Sequence, residues 1–138
     1  MCLIGLMKRQ DTRLQRVGSA VTTLNSISSG AVADGKKMYF QIPLRPSCRS
    51  HCAFEFEGRR FRSRVLFFGL ATATHCCQSI MEMVASNFRL RAESGKAMAM
   101  IVYVDDFFME ESLLPLFKQK CVDLNVLLNS TKELTGRR

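Results

Sequence analysis

Two adjacent carboxylates, Asp105 and Asp106, are the residues of this chain whose types and spacing best suit chemistry. They follow the apolar run 97–102 and Tyr103, and Phe107 comes directly after them. Two negative charges between hydrophobic segments cost free energy unless water or a positive charge compensates them. A hairpin tip would leave both carboxylates in water, whereas a divalent cation would use them as hard oxygen ligands. The sequence therefore offers two interpretations, an exposed turn or a metal site.

The composition indicates one domain with a basic surface. The chain has 138 residues, about the usual size of a domain, and 47% of them are hydrophobic, which is enough to form a core. The net charge of +8 favours a polyanionic partner, most often nucleic acid, although a solvated basic surface also fits. No long apolar run predicts a transmembrane helix, and the apolar segment 1–7 precedes its basic residues, unlike a secretory signal. We expect an intracellular protein, cytoplasmic or nuclear, with no membrane partner.

The six cysteines fit reduced thiols in an intracellular protein better than a disulfide framework. Two clusters nevertheless raise a zinc site as an alternative. They are Cys48, His51 and Cys52, and His75, Cys76 and Cys77. Neither spacing matches a standard pair of zinc ligands, so we rank this alternative below the others.

Hydrophobic periodicity predicts an α+β fold. Apolar residues recur at helical spacing in three segments, 11–26, 70–92 and 111–125. In the last of these, the residues predicted to face inward are Leu113, Leu116, Phe117, Cys121 and Leu124. Strands are predicted at 37–44, 97–104 and 126–133, with a hairpin formed by 52–57 and 60–67. This order of elements predicts helices packed on one face of a mostly antiparallel sheet.

Four segments resemble, in order, the motifs of reverse transcriptases. Residues 34–44, Asp-Gly-Lys-Lys-Met-Tyr-Phe-Gln-Ile-Pro-Leu, resemble the first catalytic motif, and residues 66–74 resemble the second. Residues 103–106 match the Tyr-x-Asp-Asp box, and residues 129–132 resemble the lysine-bearing motif that follows it. The resemblance covers nearly the whole chain and is greatest to retrotransposons of the long-terminal-repeat type or their relatives.

The resemblance implies the palm of an RNA-directed DNA polymerase. Its expected partners are a primer–template and deoxynucleoside triphosphates, and its expected cofactor is a pair of Mg²⁺ ions, because nucleotidyl transfer to a primer 3′-hydroxyl uses two metals. By the same resemblance, Asp34, Asp105 and Asp106 hold the ions, and the backbone carbonyl of Gly35 supplies another ligand.

A nucleotide pocket is also implied, formed by Gly35, Tyr39, Phe68, Gly69 and Lys132. Tyr39 matches the sugar-selecting position, although a buried strand aromatic is the alternative. Gly69 would permit close approach of the nucleotide or template, or would serve only as a turn before a helix. Lys132 would protonate the departing pyrophosphate or contact phosphate, or would be a solvated surface lysine.

Three arginines, Arg60, Arg62 and Arg64, lie two residues apart and are expected to share one face of a strand. They would contact template or primer phosphates, or form only an exposed hairpin face.

The resemblance as a whole implies a single palm fragment over residues 1–138, with incomplete fingers and with no thumb or RNase H region. Two functions follow. The first is a polymerase that works with the missing domains of a parent polyprotein. The second is a catalytically inactive remnant that acts at most as a basic nucleic-acid-binding module. Retention of the three aspartates favours the first, while Phe67 and Thr74, which replace prolines of the second motif, favour the other.

Overall fold

The computed structural model describes residues 17–25, 27–91 and 100–134. The helices are α1 (Val17–Asn25), α2 (Pro46–Arg49), α3 (Ala73–Arg91) and α4 (Leu114–Asp123). The strands are β1 (Gly30–Gly35), β2 (Ala53–Phe56), β3 (Arg59–Arg62), β4 (Met100–Tyr103), β5 (Asp106–Glu110) and β6 (Leu128–Leu134). Four strands form an antiparallel sheet in the order β4-β5-β1-β6, and β2 and β3 form a separate hairpin. The predicted α+β class is confirmed.

Strand β1 lies inside the sheet, between β5 and β6, and its residues alternate between the two faces of the sheet. Ala31 and Ala33 are buried in the hydrophobic core. Ala33 pairs with Phe107 of β5, whose large ring lies in the same core. The ring of Phe107 packs against that of Phe117 in α4, with centroids 4.8 Å apart. Phe117 also meets Phe88 of α3 edge-on at 5.3 Å. Helices α3 and α4 therefore share one core on this face of the sheet.

Helix α3 confirms the strongest helical pattern of the sequence. Its buried residues recur at helical spacing. They are Ala73, Cys77, Gln78, Met81, Val84, Ala85 and Phe88. The helix begins three residues later than predicted, because the chain first turns at residues 71–72. Ala92, the last residue of the predicted helix, lies outside the described residues.

Helix α4 is shorter than the predicted segment 111–125. A 3₁₀ turn, Glu111–Leu113, precedes it. Pro115 occupies its first turn, where a backbone N–H has no partner within the helix, so proline costs no hydrogen bond there. The prediction that Leu116 and Leu124 face inward was wrong, because Leu116 is 61% exposed and Leu124 is 37% exposed. Leu116 is about 100° around the helix from the buried Phe117, and Leu124 follows the last helical residue.

The predicted strand 37–44 was wrong, and the true strand of this region, β1, was not predicted. Residues Met38–Gln41 form a 3₁₀ helix, which starts where Lys37 takes a left-handed conformation with φ 46°. The aromatic and Ile residues of this segment resemble a strand by composition. Gly, Ala and Asp in β1 have low strand propensity, and the strand forms because both its neighbours pair with it.

The predicted hairpin is confirmed with shorter strands. Phe54 pairs with Phe61, and the turn uses Glu57 and Gly58, both with positive φ (50° and 70°), as a tight two-residue hairpin turn requires. Every residue of both strands is exposed. An isolated bridge between Pro43 and Val65 joins the base of the hairpin to the chain after β1.

Candidate active site

The sheet brings the three predicted catalytic aspartates together. Asp34 of β1 pairs directly with Asp106 of β5, so the two side chains lie on the same face of the sheet. Asp105 belongs to the turn before β5, and its carbonyl accepts a 2.8 Å hydrogen bond from the Gly35 N–H. Because Ala33 and Gly35 are buried on the core side, Asp34 points to the opposite, accessible face.

A side chain at Gly35 would be crowded by this close approach. A side-chain Cβ at this position would collide with the terminal methyl of Met38 and would lie 3.1 Å from the Asp105 carbonyl oxygen. The hydrogen bond from the Gly35 N–H thereby connects the end of β1 to the turn that carries Asp105. The proposed metal contact of the Gly35 carbonyl stays a prediction.

The aspartates repel one another electrostatically. Burial raises the pKa of the Asp106 carboxyl above its usual 3.8, and the negative charges of Asp105 and Asp34 raise it further. A divalent cation would relieve this repulsion, and carboxylate oxygens are the ligands that Mg²⁺ prefers. The donor set therefore fits such an ion. Within the described ranges, no three His, Cys, Asp or Glu side chains are already arranged to hold a metal, so the carboxylates would have to turn towards it.

The turn that presents Asp105 is held from the core side by Gln78 of α3. Its amide donates to the Val102 carbonyl at 3.1 Å and accepts from the Val104 N–H at 2.7 Å. Gln78 is only 3% exposed. Val104 needs such support because it adopts φ 54°, a conformation that is unfavourable for a β-branched residue.

Cys77 lies beside this contact. Its thiol donates to the Val104 carbonyl at 3.6 Å, and burial, followed by the charge of Asp105, raises its pKa to about 11. The group therefore remains a neutral thiol at physiological pH, which suits a packing role under the turn.

A second glutamine, Gln41, holds the start of β6. Its amide donates to the carbonyls of Lys36 (2.6 Å) and Leu127 (2.9 Å) and accepts from the Leu127 N–H (2.8 Å). Two residues further on, the Asn129 amide donates to Asp34 Oδ2 at 3.2 Å. Strand β6 thus contacts the Asp34 carboxylate directly.

Tyr39 is placed in the core rather than at the surface. It is 7% exposed, and its hydroxyl donates to Thr74 Oγ1 at 3.2 Å. Its ring packs on Phe68 with centroids 4.5 Å apart, and the exposed Phe68 also meets Phe40 at 6.0 Å. The hydroxyl of Thr74 thus binds the Tyr39 side chain at a position where the family has proline. Selection of the sugar by Tyr39 stays a prediction. The ring of Phe68 is more accessible to solvent than that of Tyr39.

Gly69 has φ 93°, which a side chain would disfavour, and no described protein atom lies within 4 Å of a Cβ built on it. The turn before α3 is therefore sufficient to require glycine, and close approach of a nucleotide stays a prediction. Lys132 is exposed on β6 and pairs with Val32, two residues before Asp34. Its contact with phosphate is likewise untested.

The arginine row is only partly a strand face. Arg60 and Arg62 belong to β3 and lie on the same face, with Glu55 opposite Arg60. Arg64 follows the end of the strand, and its carbonyl accepts from the Leu44 N–H at 2.9 Å. All three side chains are exposed and free to meet phosphates, which stays a prediction.

Sequence reasoning missed three residues of this site, Gln78, Gln41 and Asn129. Gln78 had a detectable signal, because it is a polar residue on the buried stripe of a helix, where an unpaired amide would be costly. Gln41 and Asn129 lie in segments that resemble family motifs, but their partners could not be predicted, because these are 86 and 95 positions away in the sequence.

The zinc alternative gains no support from the structure. Neither the cluster at residues 48–52 nor the one at 75–77, both within the described ranges, forms a group of three side chains that could hold a metal ion. The five cysteines described are free thiols. No helix among the described residues is long and apolar enough to cross a membrane.

Comparison with known proteins identifies the fold and the family. The chain belongs to the reverse transcriptase (RNA-dependent DNA polymerase) family, whose model matches residues 7–131. The resemblance drawn from the four motifs is thus confirmed. Comparison with curated protein sequences gave no match.

Two solved structures share the palm-like fold. The protease–reverse transcriptase of prototype foamy virus, a selenomethionine-labelled mutant, superposes with a TM-score of 0.70 at 13% identity and covers 91% of this chain. A foamy viral protease–reverse transcriptase in complex with an RNA/DNA hybrid gives 0.68 at 17% identity and covers 88%. This chain spans 17% and 16% of the length of those two chains.

Proposed function

We propose that this chain is the catalytic palm of a retroelement RNA-directed DNA polymerase, of the long-terminal-repeat type or a relative. The observation that carries the proposal is the pairing of Asp34 with Asp106, with Asp105 hydrogen-bonded to the next residue of β1. Family membership supplies the reaction, and the foamy viral neighbour with its RNA/DNA hybrid supports a nucleic-acid partner. Because the chain spans a small part of its neighbours, we place its catalysis inside a longer polyprotein.

The three aspartates would hold two Mg²⁺ ions. When bound, such ions activate the primer 3′-hydroxyl and neutralise charge on the triphosphate and its leaving oxygen. The chain itself contributes position: the β1–β5 pairing fixes Asp34 against Asp106, and Gln78 fixes the turn that carries Asp105. The accessible face of the sheet receives the primer end.

Other residues would bind the substrates. Phe68 and Gly69 lie on the exposed turn before α3 and offer a ring and a backbone to the deoxynucleoside triphosphate. Arg60 and Arg62 provide charge for template or primer phosphates, whose contacts dominate affinity. Lys132 provides a further cation on β6.

Primer extension on an RNA template tests the enzyme. With Mg²⁺ and deoxynucleotides, we expect the chain to extend the primer and Asp105→Asn to reduce extension by at least about 100-fold, because a metal ligand loses its charge. Asp123→Asn is the matched control, since Asp123 is an exposed carboxylate on α4 that bonds only with Gln119 among the contacts described. Its extension should equal that of the wild type.

The inactive remnant is the second candidate function. The observation that favours it is the presence of Phe67 and Thr74 where the second motif has prolines. Absence of extension by the wild-type chain, together with RNA binding that weakens as salt rises, would reject independent polymerase activity of this chain and favour the remnant.

A further inference from the structure

Strand β6 carries one extra residue at the level of the aspartates. In its antiparallel ladder with β1, Ser130 pairs with Asp34, but Leu128 rather than Asn129 pairs with Gly35. Asn129 is therefore the additional residue of a β-bulge. Bulges re-aim a side chain relative to the regular alternation of a strand, and they are frequent beside active sites.

The bulge aims the Asn129 amide at Asp34. Its Nδ2 group lies 3.2 Å from Asp34 Oδ2. A carboxylate can only accept hydrogen bonds, so the amide must present its nitrogen to it. One oxygen of Asp34 is thereby occupied and its torsion restrained, while the second oxygen stays available for another partner.

The neutrality of this donor matters. A lysine or arginine at the same place would cancel the charge of Asp34 and compete with a cation for it. An amide orients the carboxylate and leaves its full negative charge. Lys132, the nearby cation of β6, pairs with Val32, two residues along β1 from Asp34.

Gln41 holds the bulge in place. Its side chain bonds both backbone groups of Leu127, and the Lys36 N–H bonds to the Leu127 carbonyl as well, at 2.9 Å. These contacts fix the entry of β6 two residues before Asn129. The register of the edge strand at the site is thus set by side-chain bonds as well as by the strand ladder.

We infer that Asn129 is a positioning residue for the Asp34 carboxylate, and that Gln41 fixes the bulge from which Asn129 acts. The inference rests on the proposed function, because it assigns Asn129 to the metal-holding form of Asp34. Asn129 orients the ligand; it does not bind the metal.

Binding of Mn²⁺, a spectroscopic substitute for Mg²⁺, to the full 138-residue chain tests this inference. Electron paramagnetic resonance of free Mn²⁺ gives the affinity. We expect Asn129→Ala and the similarly sized Asn129→Leu each to weaken binding by roughly 10-fold, as loss of an orienting partner usually does. Ser130→Ala, at the position paired with Asp34, is the matched control and should bind within about twofold of the wild type.

Gln41→Ala should weaken Mn²⁺ binding in the same direction, and the Gln41→Ala, Asn129→Ala double variant should lose no more than Asn129→Ala alone. Thermal unfolding of each variant, followed by circular dichroism, shows that the losses do not come from unfolding. Where the chain is active, the loss should appear in kcat rather than in KM for the nucleotide.

The outcomes separate this inference from the proposed function. If Asp34→Asn weakens Mn²⁺ binding but both Asn129 variants bind like the wild type, the positioning role is wrong and the metal site stands. If the wild type binds no Mn²⁺, or binds it equally after Asp34→Asn, the metal site of the proposed function fails and this inference fails with it.

Discussion

Two glutamine side chains hold the two ends of the candidate active site, and their surroundings differ in burial. Gln78 is buried under the turn between β4 and β5 and bonds to the backbone of Val102 and Val104. Gln41 is half-buried at the edge of the sheet and bonds to the backbone of Leu127 and Lys36. Each amide uses both its donor and its acceptor to replace backbone pairing where the sheet is interrupted.

The difference in burial should determine what each contact contributes. A buried backbone group that loses its partner keeps the full desolvation penalty, whereas an exposed one regains a hydrogen bond to water. We therefore expect Gln78 to support the stability of the whole fold and Gln41 to support only the local register of β6. Three predictions test this contrast, in descending order of effect.

Gln78→Met should produce the largest loss. Methionine keeps the volume of the side chain but leaves the Val104 N–H and the Val102 carbonyl without their partner. We expect the free energy of unfolding to fall by about 2–4 kcal/mol, measured by urea denaturation.

Glu82→Gln is the control for the Gln78 substitution, because Gln78 also donates to Glu82 Oε1 at 3.2 Å. This variant keeps an acceptor oxygen and should stay within about 0.5 kcal/mol of the wild type. If Gln78→Met were equally mild, the buried contact would not support the turn and the contrast would collapse.

Gln41→Ala should produce a smaller and local loss. We expect the free energy of unfolding to fall by about 0.5–1.5 kcal/mol, with faster hydrogen exchange at the Leu127 amide and unchanged exchange in α3. Gln119→Ala removes an exposed glutamine, which bonds only to the Asp123 side chain among the contacts described, and should change neither measurement. Faster exchange throughout the sheet would show that Gln41 supports the whole fold instead.

Asp106→Asn should produce the smallest effect, and of opposite sign. The pKa of Asp106 is raised in the fold by burial and by the neighbouring carboxylates, so the folded chain binds its proton more tightly than the unfolded chain does. Ionisation of Asp106 therefore destabilises the fold at pH 7, and this penalty disappears as the pH falls below the usual pKa of 3.8.

We expect Asp106→Asn to raise the melting temperature by roughly 1–3 °C at pH 7, with no gain at pH 3.5. The effect stays small because the Asp106 side chain is only partly buried. Thermal unfolding across this pH range measures it. A lower melting temperature of Asp106→Asn at pH 7 would mean that the ionised Asp106 carboxylate does not destabilise the fold.

Local signals in the sequence predicted much of this fold. The apolar stripe of α3 gave the helix, and the turn at Gly58 gave the hairpin, because both depend on neighbours in the chain. The same is true of the turn before Asp106, which lies between two hydrophobic strands.

Other parts depend on distant residues and could not be read this way. Strand β1 consists of small residues and glycines and becomes a strand only when β5 and β6 pair with it. The 3₁₀ helix Met38–Gln41 has the composition of a strand, and the left-handed Lys37 that starts it leaves no sequence signature. Asn129 acts through a bulge, and a bulge depends on the register of two strands.

The hairpin of β2 and β3 has a consequence for the behaviour of the chain in solution. Phe54, Phe56 and Phe61 are 54%, 61% and 41% exposed, and the rings of Phe54 and Phe61 stack with centroids 5.6 Å apart. Exposed apolar rings on one hairpin favour association between copies of the chain, whereas the net positive charge opposes it. The colloidal stability of the chain should therefore fall as salt screens that repulsion.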